Sequence, residues 1–406
     1  MLKRILMAAL LVLPMTMAVA DDDDTSTITH IEPADGQQLE IIDEIVDGER
    51  TITIITDDGR DREVTVLNVD SLGYGIAEMA ESIGQWAGEF GESIGRHFDR
   101  DWHGDRTHYA KSEFGDAQEF ERIKTVEPGG RIFIENISGS VIVTGWDQDK
   151  IEVKGRLGED VDRLTFDTNN GDTRIKVVVP KGRNRKIKSE LIIHVPHRSS
   201  LNIETVSSSI EIKRVEARSH RFETISGHIN LYKTTGDLDL ETVSGHIEIE
   251  DATSDIQAES ISGHIEIGGD ADSISAESVS GRIELYGVRN RVQAESISGR
   301  IEIYGKNIEE LEMETITGRL SFMGSLTDDV EVDVSALSGS VTLDFGRSIE
   351  GTYDLRSGTG SIHCSWGPSV PSGRRRGPGR TLRFEYGDGD ADIRVETFSG
   401  SIKIND

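Results

Sequence analysis

Between residues 201 and 345 apolar and polar positions alternate with a period of two, and the alternation restarts at a nearly constant interval. "ESISGHIEI" (Glu259 to Ile267) returns as "ESVSGRIEL" (Glu277 to Leu285) and "ESISGRIEI" (Glu295 to Ile303). The glycine of each Ser-Gly pair falls at Gly227, Gly245, Gly263, Gly281 and Gly299, then at Gly318 and Gly339, so the interval is 18 residues four times, then 19, then 21. Two positions after the marker stand Ile229, Ile247, Ile265, Ile283, Ile301 and Leu320, and four after stand Leu231, Ile249, Ile267, Leu285, Ile303 and Phe322. Between them lie Asn230, Glu248, Glu266, Glu284, Glu302 and Ser321, which is the pattern of a half-buried strand. A second short strand enters each unit through Phe222, Leu240, Ala258, Ala276, Ala294 and Met313, each followed by a glutamate.

Strands this short cannot bury an apolar face alone, so the units must stack. The pattern predicts an all-β fold: a parallel β-solenoid of about 18-residue coils, right-handed by the rule for parallel crossovers. A propeller blade needs about 40 residues, and a sandwich lacks so regular a ladder. The Ser-Gly pair reads as the corner between two strands, at Gly227, Gly245, Gly263, Gly281, Gly299 and Gly318. Glycine would supply a positive φ at the bend, and serine would bond backbone that the bend leaves unpaired.

The flanks differ from the repeat. Gly36 to Asp70 reads as two strands joined by a turn at Asp58-Gly59. Ile76, Met79, Ile83, Trp86, Phe90, Ile94 and Phe98 then keep helical spacing, in a helix weakened by Gly84, Gly88, Gly91 and Gly95. Such a helix over residues 71–98 either caps the solenoid, mediates self-association or docks on a partner. The expected organisation is a signal peptide (1–20), a hairpin and amphipathic helix (21–98), a linker (99–118) and the β domain (119–406), interrupted by a Gly/Pro-rich basic loop (367–380).

The signal rests on Lys3 and Arg4, the apolar run from Ile5 to Met17, and Ala18-Val19-Ala20, a pattern that signal peptidase cuts. No segment of the mature chain is apolar enough to span a membrane as a helix. The formal charge of −30 argues against nucleic acid and anionic membrane surfaces, both of which need basic patches. Cys364 is the single cysteine, so packing rather than an internal disulfide must hold the chain together.

"NISGSVIVTGWD" from Asn136, "ELIIHVPHRSSLNIETVSSSIEI" and the reiterated "SGxIEI" together resemble the bacterial putative-adhesin family of secreted β-strand-repeat proteins, a domain of unknown function. The resemblance covers roughly Glu119 to Asp406. It implies an adhesive or envelope role and brings no catalytic residues with it.

Candidate chemistry is sparse. One position after the markers lie His228, His246 and His264, then Arg282, Arg300 and Arg319. The histidines are weak metal-ligand candidates, since the arginines continuing the column read more readily as a solvated cationic stripe relieving stacked glutamates. Asp388, Asp390 and Asp392 begin like a calcium loop, but Ile393 and Ser399 break that pattern. Tyr286 and Tyr304 form an aromatic column that either packs on itself or binds a partner, and Arg374-Arg375-Arg376 is the one basic cluster. No motif calls for a cofactor, and no coil converges an acid, a base and a nucleophile. The sequence therefore predicts an exported, non-enzymatic β-solenoid, periplasmic or at the cell surface, that binds an envelope protein or glycan. The alternatives are a periplasmic scaffold that docks through residues 71–98 and a polysaccharide-active β-helix enzyme.

Overall fold

The computed structural model describes residues 27–31, 38–46, 49–57, 62–68, 118–169, 171–180, 187–368 and 380–406, with backbone alone in the first four segments. The signal peptide, the helix over 71–98 and Arg374 to Arg376 lie outside the described residues. The chain divides into two compact units, residues 1–109 and 110–406.

In the first unit Thr27–Ile31, Gln38–Val46, Glu49–Asp57 and Arg62–Asn68 form a four-stranded antiparallel sheet in chain order. Asp57 faces Arg62 across the expected turn, so the hairpin is present. The sequence reading of two strands over Gly36 to Asp70 is corrected to three, and a further strand, Thr27–Ile31, precedes them. In "QLEIIDEIV" the neighbouring Ile41 and Ile42 break period-two alternation, and "TITHI" is only one short strand, so neither announces itself.

The second unit is all-β among its described residues and β-helix-like. Ile229, Ile247, Ile265, Ile283 and Ile301 pair in parallel register, each opposite its counterpart one coil away. Leu240, Ala258, Ala276, Ala294 and Met313 do the same on the other strand of the coil. All of these side chains are buried and belong to one continuous core. Each coil is therefore two short strands whose inward residues meet between two ladders, with neighbouring coils about 4.8 Å apart. Each fully buried isoleucine contributes roughly 1.5–3 kcal/mol of transfer free energy.

The corner is where the Ser-Gly motif places it, but for a different reason. None of the six corner glycines adopts a positive φ. A Cβ on Gly245 would lie 1.7 Å from the Gly227 carbonyl oxygen, one on Gly263 1.6 Å from that of Gly245, and one on Gly281 1.7 Å from that of Gly263. Glycine is required because the backbone of one coil rests on the backbone of the next, which leaves no room for a side chain. The hydroxyl three positions before Gly227, Gly245, Gly263 and Gly281 accepts that glycine's N–H, at 2.8 Å for Thr242–Gly245 and 2.7 Å for Ser260–Gly263, whereas the Ser296 and Thr315 hydroxyls before Gly299 and Gly318 are buried without a partner. The serine just before the glycine donates to the coil behind it, as Ser262 does to the Val243 carbonyl at 3.3 Å, which is the role expected of it.

The left-handed bend lies elsewhere, six positions past the marker. Lys233 (φ 52°) and Asp251 (φ 58°) occupy it after Gly227 and Gly245, Arg214 (φ 55°) after Ser208, and Gly287 (φ 74°) after Gly281. That column mixes Arg, Lys, Asp and Gly, so no single residue type marks it in the sequence.

At both ends the coil order departs from the chain order. The outlying copy at Asn136 enters as the coil beside Ser208, since Arg131–Trp146 pairs in parallel with Ser200–Thr224. At the far end the copy at Thr397 stacks directly on the Gly339 coil, with Val334 opposite Val395 and Val341 opposite Ile402. The segment containing Gly351–Ser357 and Ile362–Cys364 then stacks outside that copy, although it precedes it in sequence. Antiparallel strands finish the ladders: Gln118–Thr125, Lys150–Leu157 and Arg163–Asn169 at one end and Arg380–Tyr386 at the other. Gln118 thus opens a strand at the position read as the last residue of a linker.

Two substitutions separate close approach from backbone bend. Gly263→Ala is expected to lower stability by about 1–3 kcal/mol, because backbone rather than a movable side chain meets the new methyl. Asp251→Gly is expected to be neutral or to stabilise by up to about 1 kcal/mol by relieving the left-handed residue. Urea midpoints of the two variants check both, and a midpoint unchanged in Gly263→Ala would refute the stacking account.

Candidate functional site

The outward face of the second strand carries a glutamate ladder. Glu223, Glu241, Glu259, Glu277, Glu295 and Glu314 stand opposite one another in unbroken register. Five are only 4–7% exposed and Glu277 is half-buried. Like charges stacked at about 4.8 Å cannot all remain ionised away from water. Arg221 resolves one end, its guanidinium bonded to Glu223, Glu241 and Asp239 together. Burial works against the charge on Arg221, but the Glu223 hydrogen bond and the surrounding carboxylates raise its pKa overall.

Farther along, glutamine replaces arginine. Gln257 donates to Glu259 at 2.7 Å and Gln293 to Glu295 at 2.8 Å, leaving the second oxygen of each carboxyl buried and unpartnered. Burial, reinforced by Glu277 and Glu241, pushes Glu259 up to about 9. Burial with Glu277 and Glu314 pushes Glu295 up to about 8. Both carboxyls therefore hold their protons at neutral pH.

Beside the ladder runs an open groove of about 590 Å³, lined among others by Phe133, Arg221, Asp239, Asp255, Gln257 and Ser275. His220 lies in its wall as a neutral ring. Its Nδ1 accepts the Leu201 N–H at 3.3 Å, its Nε2 faces the Thr235 carbonyl at 3.3 Å, and burial lowers its pKa to about 4.

The first strand of each coil carries the other candidates on its outward face. Arg282 pairs with Glu284 at 3.2 Å and Arg300 with Glu302 at 3.5 Å, so the cationic column does neutralise the neighbouring glutamates. His246 and His264 stack at 4.7 Å, while His228 meets His246 edge-on at 6.1 Å. Tyr286 and Tyr304 stack at 5.1 Å with their rings within 10° of parallel, 38% and 40% exposed. Tyr232 is similarly exposed but faces Glu250 in the next coil, outside the stack. Cys364 is free and buried. Asp388 donates its backbone N–H to Glu350, and the Asp392 carboxylate pairs with Arg394 at 3.5 Å. The buried ladder is the feature that sequence reasoning missed. Its signal was the invariant Glu before a hydroxyl residue, where a freely solvated position would tolerate variety.

Residues 132–314 match the family model described as Toastrack DUF4097. The matched stretch runs from the coil at Asn136 to the last glutamate of the ladder, and the parallel stack continues past it to the coil at Thr397. Three solved structures resemble the chain over nearly their whole length. A putative adhesin from Bacteroides fragilis is 13% identical, covering 71% of this chain and 97% of its own, with a TM-score of 0.35. A putative cell adhesion protein from Clostridium sporogenes is 14% identical over 71% and 99%, with a TM-score of 0.18. A putative adhesin from Parabacteroides merdae is 8% identical over 72% and 98%, with a TM-score of 0.30. No curated protein matches the chain.

The ladder sets an unusual pH dependence for the second unit. An acid whose pKa is raised on folding binds its proton more tightly in the native state, so its contribution is full below the unfolded value near 4.5 and is lost as pH rises through 8 to 9. His220 titrates below that range, and the Cys364 thiol, which burial raises, adds to the fall only near pH 9, so the interval from pH 7 to 8 reports chiefly on the glutamates. Stability is expected to fall across it at up to about 1 kcal/mol per pH unit for each retained proton. Denaturation midpoints at pH 7, 8 and 9 check this. Glu259→Gln with Glu295→Gln should flatten the profile, and an undiminished fall in that variant would mean the protons sit elsewhere.

Proposed function

We propose that this chain is an exported, non-enzymatic binding protein of the cell envelope, acting in the manner of an adhesin, whose aromatic pair seats an uncharged or amine-bearing glycan. The observation that carries this reading is the exposed Tyr286–Tyr304 stack, held on a rigid ladder. The flanking glutamates accept hydrogen bonds, as Glu284 does from the Tyr286 hydroxyl at 3.3 Å. Aromatic faces with acceptors at their rim suit the apolar faces and hydroxyls of sugar rings. The formal charge of −30 disfavours an anionic polymer. The leader at Lys3 to Ala20 supports export, and among the described residues no helix is long and apolar enough to cross a membrane.

The double variant Tyr286→Ala, Tyr304→Ala is expected to weaken retention on immobilised neutral envelope polysaccharide about tenfold, with its thermal midpoint retained. Equal retention of both proteins would remove the stack as the binding face. Protease treatment of intact cells, following an epitope placed after Asp406, tests the location. Digestion supports a surface adhesin, and protection until permeabilisation favours the periplasmic scaffold. The groove-lining Gln257, hydrogen-bonded to the proton-retaining Glu259 buried behind it, is the observation that favours the polysaccharide-active reading. New reducing ends released by the wild type but not by Glu259→Gln would replace binding with catalysis.

A further inference from the structure

We infer that His246, His264 and Glu266, completed by Glu284, form a binding site for a divalent transition metal ion of the zinc class on the outward face of the first ladder. One ligand atom from each of His246, His264 and Glu266 lies within 4.8 Å of the other two, and all three residues are half-buried. Register explains the convergence. His264 immediately precedes the strand Ile265–Gly269 that carries Glu266, His246 occupies the histidine's position one coil back, and Glu284 the glutamate's position one coil forward.

The second shell orients the central ligand. His264 Nδ1 lies 3.0 Å from the Arg282 carbonyl oxygen, which can only accept, so Nδ1 carries the proton and Nε2 presents its lone pair. A backbone carbonyl holding the far nitrogen is how metal-binding imidazoles are commonly aimed. Nε2 then lies 3.7 Å from a Glu266 oxygen and 3.5 Å from a Glu284 oxygen. Two ligands of a tetrahedral zinc ion at bond lengths near 2.05 Å stand about 3.3 Å apart, so the site needs to contract by only a few tenths of an ångström on that side. Arg282 holds the other Glu284 oxygen at 3.2 Å, fixing which oxygen turns inward.

Two imidazoles with two carboxylates suit zinc, copper(II) or nickel(II) rather than calcium or magnesium, which prefer oxygen alone. Two neutral rings and two carboxylates also balance a doubly charged ion. His228 is excluded, because its Nδ1 accepts the His246 backbone N–H at 3.3 Å and its ring lies edge-on. The histidine column thus resolves into two ligands and a neighbour.

The test uses the untagged full chain, stripped with EDTA and dialysed. Zinc titrated against a chromophoric chelator should show one tight equivalent per chain. Its affinity should fall at least tenfold in His246→Ala, His264→Ala and Glu266→Gln but stay within twofold in His228→Ala. Cobalt(II) added to the wild type should develop the visible d–d absorption of a tetrahedral nitrogen and oxygen site, a readout that needs no variant. Metal-free thermal midpoints verify that the variants are folded. Absence of the cobalt bands, or a zinc affinity unchanged in the His246→Ala, His264→Ala double variant, would overturn the assignment and place any binding on other groups of the chain.

Discussion

The contact on which the rest of the structure depends is the seating of each corner glycine on the carbonyl of the one before it. With Gly263 so close to the Gly245 carbonyl that even a methyl is excluded, coils cannot slide or tilt independently. The backbone contact fixes the register, and the register makes every column of the sequence a column in space. Inward columns of Ile, Leu and Ala then fill one continuous core, which is how a chain with no possible internal disulfide is held.

The same constraint creates the electrostatic problem. A repeat that stacks Ile on Ile also stacks Glu on Glu. On the first strand the answer is mixture, with Arg282 and Arg300 interleaved among the glutamates in partly exposed pairs, each worth little singly. On the second strand the glutamates are buried, and three devices follow one another along the ladder: a guanidinium shared among three carboxylates, an amide donated by glutamine, and a retained proton. In the histidine segment the first-strand column carries imidazoles in place of guanidinium groups, which brings nitrogen and oxygen donors together.

An open stack of parallel strands also exposes an edge at each end. The chain solves this by crossing over, sending a later or earlier copy of the motif into the stack and covering the end with antiparallel strands. These strands lack the Ser-Gly-x-Ile spacing because they turn back instead of continuing the coil.

The sequence by itself determined the all-β class, the 18-residue coil, the inward Ile columns, the Ser-Gly corner and the family resemblance, since each is a periodic property that survives without coordinates. It also brought Tyr286 next to Tyr304 and His246 next to His264, because register turns equal offsets into contact. Only the tertiary structure decided why the corner needs glycine, which is an approach between residues 18 apart rather than a local dihedral. It alone decided that Glu259 and Glu295 are buried while Glu266 is half-exposed, because alternation tells which face a residue is on but not how deeply neighbouring columns cover that face. The order of the end coils was equally illegible, for a repeated motif fits beside any other copy and only the connecting strands choose among them.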